Sequence, residues 1–86
     1  MRRLALTLLF VLSACSRIEQ SPECARYMAC VEAIMAGASV AYEGSYGVNG
    51  TCWSTNQNDA DTCTLACIQG RQNLSAGFGQ GKAECQ

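Results

Sequence analysis

The chain has 86 residues, 49% apolar and 15% charged with a net charge of −1, which allows one small domain at most. The absence of histidine excludes Ser-His and Cys-His nucleophile systems and every His-bearing zinc site. Six Lys and Arg against seven Asp and Glu leave no basic footprint for nucleic acid.

Met1-Arg2-Arg3 gives a short positive start, and Leu4 to Val11 continues it as an apolar run ending at Leu12. Such a run is too short for a membrane-spanning helix, which needs about 20 residues. It also has no polar face at a helical period, so it fits the hydrophobic region of a secretory signal better than a buried helix. Leu12-Ser13-Ala14-Cys15 then follows. An ordinary signal-peptidase site wants small residues at −3 and −1, and cleavage after Ala14 would put Leu12 at −3.

Residues 1–15 resemble the signal and lipobox of bacterial lipoprotein precursors. The resemblance implies removal of a signal peptide spanning 1–14, a diacylglyceryl group on the Cys15 sulfur and acylation, for instance by palmitate, of the new amino terminus. It further implies a lipid bilayer as partner through acylated Cys15. Ser16 in the next position implies the outer membrane rather than inner-membrane retention, where the cell has two membranes. Two or more acyl chains hold stably, whereas one is marginal.

Cysteine arithmetic points the same way. Seven is odd, and an exported protein needs an explanation for an unpaired thiol. With Cys15 alkylated, Cys24, Cys30, Cys52, Cys63, Cys67 and Cys85 close three bridges. Loss of Arg2 and Arg3 leaves four basic residues against seven acidic, so charge gives no reason to lie on anionic lipid. Residues 15–21 read as the lipidated cysteine and a short polar tether, which as a flexible coil spans roughly 13 Å. Residues 22–86 form the cysteine-rich domain.

Ser21-Pro22-Glu23 reads as a helix start: an N-cap oxygen, a proline at the first position and an acidic first turn. Cys24, Tyr27, Val31, Ile34, Ala38 and Ala41 recur at helical spacing, with Cys24 and Cys30 on opposite edges of that stripe. The helix is expected to end between Ala36 and Tyr42, with Gly37 loosening it. Residues 43–58 read as a loop rich in Gly, Asn and Ser. In it Asn49-Gly50 signals a turn, and Cys52 beside Trp53 suggests a bridge packed under the only tryptophan. Trp53 is expected to close a small core, with a binding aromatic as the other reading.

Asn58 to Asp61 offer caps for a second helix, about Thr62 to Leu74. Cys63, Ala66, Cys67, Gly70 and Leu74 share one face of it. Leu65 and Ile68 fall on the opposite side, where a C-terminal arm is expected to cover them, through Phe78. Residues 75–82 read as irregular until Cys85 ties down the end. Antiparallel helices would give Cys24–Cys67 and Cys30–Cys63, leaving Cys52–Cys85. Cys63 and Cys67 share a helix edge while Cys24 and Cys30 do not, which makes Cys52–Cys63 the rival. Fifteen connectivities remain open.

Few constellations suggest chemistry. Cys63 and Cys67 with Cys24 and Cys30 are a conceivable zinc set, but export favours oxidation. No C-x-x-C redox spacing occurs. Gly77 to Ala83 lacks phosphate-loop spacing, and Asn56 to Asp61 lacks the glycine and terminal glutamate of an EF-hand loop. Glu23, Glu32 and Glu43 read as solvated helix faces rather than a carboxylate pair.

The cysteine-rich region, over residues 24–67, is similar to small cysteine-rich lipoproteins of predatory and social bacteria. The shared features are Cys24-x5-Cys30, Tyr46-Gly47…Gly50-Thr51-Cys52-Trp53 and Cys63-x3-Cys67. That resemblance implies a location and a fold type, and no mechanism. The expectation is a small all-α domain: a disulfide-stapled helical hairpin with a long Gly/Asn/Ser-rich connecting loop. Its expected role is that of a non-enzymatic structural or interaction module in the cell envelope, without cofactor, metal site or nucleic acid, and with an envelope protein as a candidate partner. A tethered toxin, inhibitor or signalling peptide is the alternative.

Overall fold

Ser21 begins the first helix in the manner its side chain dictates. Its backbone is extended, its hydroxyl accepts from the Cys24 N–H at 3.3 Å, and Pro22 occupies the first turn, where a missing N–H costs nothing. The computed structural model describes residues 17–86. The signal peptide assigned to 1–14, the lipobox and Cys15 lie outside the described residues.

Helix α1 spans Pro22–Ile34, a short 3-10 turn covers Ala38–Tyr42 and the single turn α2 covers Glu43–Tyr46. A second 3-10 turn at Thr51–Trp53 leads to the long helix α3, Gln57–Ala76, and a last 3-10 turn at Ala83–Cys85 closes the chain. The described residues contain helices and turns and no strand, with three disulfides.

Helix α1 stops earlier than its apolar stripe suggests. Met35 is extended, and Gly37 takes a positive φ of 88° that other residues rarely adopt. The Glu32 carboxylate fixes this bend, accepting from the Gly37 N–H at 2.7 Å and the Ser39 hydroxyl at 2.7 Å. Helix α3 starts earlier than expected, because Asn56 is extended and its side-chain oxygen accepts from the Asp59 N–H at 2.8 Å. The segment between the helices is not a plain loop. It folds into successive tight turns, with the Gly50 N–H donating to the Gly47 carbonyl at 2.9 Å around Asn49.

The two long helices run in the same direction, which corrects the hairpin. Cys24 bonds to Cys67, the Tyr27 ring lies against Gly70, and Val31 shares a cleft with Leu74. Each pair is separated by the same number of residues, so a step forward on α1 is matched by a step forward on α3. An antiparallel pair would match forward steps with backward ones. The segment after α1 therefore carries the chain back to the end where α1 began.

Direction explains the disulfides. From the Cys24–Cys67 rung, Cys30 lies about 9 Å forward and Cys63 about 6 Å back at 1.5 Å per residue. That axial gap far exceeds the roughly 7 Å Cα separation a bridge can span, so the Cys30–Cys63 rung of the hairpin is impossible here. Cys63 instead meets Cys52 on the returning segment, with Cα atoms 6.0 Å apart. Cys30 meets Cys85 on the C-terminal turn at 4.7 Å, and Cys24–Cys67 stands at 5.0 Å.

A Cβ placed on Gly70 would lie 2.7 Å from Cε1 and 3.0 Å from Cζ of Tyr27. The ring is held on its other sides by Tyr42 and Tyr46, so it has little room to yield. Gly70→Ala should gain about 1 kcal/mol of helix propensity and lose about 1–3 kcal/mol to overpacking. The expected net is a loss of about 1 kcal/mol, read as a Tm lower by roughly 4–8 °C in thermal unfolding with the disulfides intact. A rise in Tm would show that the helices do not meet closely at this glycine.

Candidate functional site

The residues singled out in the sequence gather at three places. Cys24, Cys67 and Cys52 join Trp53 and Ala60 in the main buried cluster, with Cys63 half-buried against it. Cys30 and Cys85 are buried together at the opposite end of the helices. All six described cysteines are in disulfides, so their thiolates are committed to sulfur. No cluster of His, Cys, Asp and Glu fit for a metal ion occurs among the described residues.

Trp53 is 1% exposed and its indole N–H donates to the Gly47 carbonyl at 2.9 Å. Both its apolar face and its polar edge are thereby used inside the domain. The ring closes the core and is not offered to a ligand, which corrects the reading of it as a binding aromatic.

The lead-in before α1 is the part that sequence reasoning missed. Read as free tether, residues 17–20 instead dock on the returning segment. The Ile18 N–H donates to the Trp53 carbonyl at 3.1 Å, and the Ile18 side chain packs on the core cluster. The Gln20 side-chain amide donates to the Tyr46 carbonyl at 2.8 Å, and the Arg17 guanidinium reaches the Val48 carbonyl at 3.4 Å. These are contacts to backbone, which leave no side-chain pattern. The one legible signal was Ile18, an apolar residue in an otherwise polar stretch.

A cluster of tyrosines forms the third place. Tyr27 meets Tyr42 and Tyr46 edge-on, with ring centroids 5.7 and 5.9 Å apart, while Tyr42 and Tyr46 stack at 6.4 Å. Such pairs are worth about 0.5–1.5 kcal/mol beyond burial. Burial raises the Tyr27 pKa, and the neighbouring Tyr42 hydroxyl, then Tyr46, add to the rise. Tyr27 therefore keeps its proton at neutral pH and supplies packing rather than charge. Beside it Tyr27, Val31, Ile34, Met35, Tyr42 and Leu74 line an apolar cleft of about 190 Å³. Tyr42 and Tyr46 stand four residues apart, a helical spacing that was present in the sequence and unread.

The C-terminal arm does not cover Leu65 on the far face of α3, while Ile68 is half-buried. Leu65 is 60% exposed and Phe78 is 84% exposed. The Gly79 N–H donates to the Leu74 carbonyl at 2.6 Å, and a Cβ at Gly79 would strike the Cys85 sulfur. This turn folds the arm back toward α1 and Cys30, away from Leu65.

Comparison with protein families, with curated proteins and with solved structures finds no match to the chain. Among the described residues no helix is long and apolar enough to cross a membrane.

Glu32 supplies a measurable electrostatic feature. Its pKa is lowered first by the Ser39 hydroxyl and then by the Gly37 N–H, both donating to the carboxylate. A lowered folded-state pKa means that the contribution is complete above the ordinary carboxylate pKa and lost as pH falls through the folded value. Amide exchange at Gly37 and Ser39, corrected for intrinsic rate, should accelerate several-fold on acidification through that range. Glu32→Gln should flatten the dependence. An acid-sensitive bend that persists in Glu32→Gln would place its cause elsewhere.

Proposed function

We propose that the chain is a bacterial lipoprotein anchored in the cell envelope through acylated Cys15, and that its domain is a non-enzymatic structural or interaction module. One observation carries this reading. The six cysteines of the described residues pair with one another, which leaves Cys15, by count, as the seventh. That same residue stands at the lipobox position after Leu12-Ser13-Ala14. An odd thiol in an exported, oxidised protein calls for a use, and S-alkylation by a glyceride is a use that fits its sequence context.

The chemistry of the domain supports a passive role. Disulfide formation consumes the described thiols, Trp53 is internal, and burial raises the pKa of Tyr27. The exposed apolar residues Met35, Val40 and Phe78 are suited to contact with another protein in the envelope, and the outer membrane is the favoured site where the cell has one.

Intact-mass measurement of the protein purified from its native membrane tests the proposal. The expected species begins at Cys15, carries a diacylglyceryl group and an amide-linked acyl chain, and lacks six hydrogens for three bridges. Cys15→Ser should retain residues 1–14 and take up no labelled palmitate. A native protein with an unmodified Cys15 would overturn the proposal, as would free thiols among the other six cysteines.

A further inference from the structure

The docked lead-in fixes where the anchor emerges. Arg17 is held at the Val48 carbonyl and Ile18 at the Trp53 carbonyl, at the end of the domain where both α1 and α3 begin. Cys15 precedes Arg17 by two residues, and a trans chain advances at most about 3.6 Å per residue. Whatever path those residues take, the Cys15 Cα lies within about 7 Å of the Arg17 Cα. A flexible tether of the full length from Ser16 to Ser21 would have let the domain turn freely over the surface. The leash left by the docking is too short for that.

We propose that the bilayer is the partner of this end of the domain, so that Arg17, Val48 and Asn49 face the lipid headgroups and the Cys30–Cys85 end points away. The inference rests on lipidation at Cys15. Val48 is 69% exposed and stands beside Arg17, so the surface nearest the anchor offers one apolar and one cationic group to the interface. Charge does not set the orientation, because Arg17 is accompanied at this end by Glu19, Glu23, Asp59 and Asp61. The constraint is geometric. Helix α1, with 13 residues, is about 20 Å long, so Gly37 and Phe78 at the far end stand well clear of the headgroups.

The native lipidated protein in phosphatidylethanolamine/phosphatidylglycerol nanodiscs, doped with nitroxide-headgroup lipid, reads this orientation by NMR relaxation. Amide signals of Arg17, Val48 and Asn49 should be attenuated several-fold more than those of Gly37 and Phe78. Insertion of about twelve Gly/Ser residues between Ser16 and Arg17 extends the leash to roughly 20 Å and should remove most of that gradient. Intact mass of the same sample separates the two ideas. A lipidated Cys15 with uniform or reversed attenuation overturns the orientation alone, as does a gradient unaffected by the insertion. An unmodified Cys15 overturns the lipoprotein reading and the orientation with it.

Discussion

Sulfur takes the place of a hydrocarbon core in this domain. Among the described residues, the buried apolar ones Cys24, Cys30, Cys52, Cys67 and Cys85 are half-cystines, and only Val31, Trp53 and Ala60 are not. A chain of this size rarely gains more than about 3–5 kcal/mol from its core alone. The 11-residue separation of Cys52–Cys63 is worth roughly 3 kcal/mol in the loop-entropy model, and the separations of 43 and 55 residues roughly 4 kcal/mol each. These values do not add, because the loops overlap. Their scale still exceeds what the few buried side chains supply, so the covalent links decide whether the helices stay together.

The parallel course of α1 and α3 follows from that arrangement. Parallel helices need a long return, and the return here is built of short turns instead of slack chain. Its turns are stitched locally, by Gly47 to Glu43, Gly50 to Gly47 and Trp53 to Gly50. Tyr42 and Tyr46 lay the return across Tyr27, and Cys52 binds its end to α3. The Cys24–Cys67 rung then holds the near half of the helix pair, while Cys30–Cys85 clamps the C-terminal turn onto α1 beyond it.

Local chemistry was legible in the sequence and direction was not. Ser21, Pro22 and Glu23 mark the start of α1 because a cap acts on its own first turn. Asn49-Gly50 marks its turn, and Trp53 its place over Cys52, for similarly local reasons. The apolar stripe of a helix is the same read forward or backward, so the faces of α1 and α3 gave no clue to their relative direction. Of the pairings that followed from the assumed direction, Cys24–Cys67 stands, while Cys30–Cys63 and Cys52–Cys85 fail with that direction and the rival Cys52–Cys63 forms instead. Helix ends were misjudged where a longer-range partner intervened: Glu32 stops α1 by binding Gly37 and Ser39, although Ala38 and Ala41 prolong the stripe. Leu65 was expected to need a cover, but Gly79 turns the arm the other way.

The lead-in has the largest consequence of these misreadings, because it joins the proposed anchor to the core. Polar composition made residues 16–21 look like slack, yet main-chain groups bind regardless of the side chains they carry. Ile18 holds the Trp53 carbonyl, the Trp53 ring holds Gly47, and Cys52 next to Trp53 is bonded to Cys63 on α3. The lead-in is thus linked through Ile18 and Trp53 to the Cys52–Cys63 bond on α3. In a lipid-anchored protein those contacts would tie the residues nearest the anchor to the core of the domain. The surface it offers to a partner would then be set by how Trp53 seats the lead-in, not by the lipid alone.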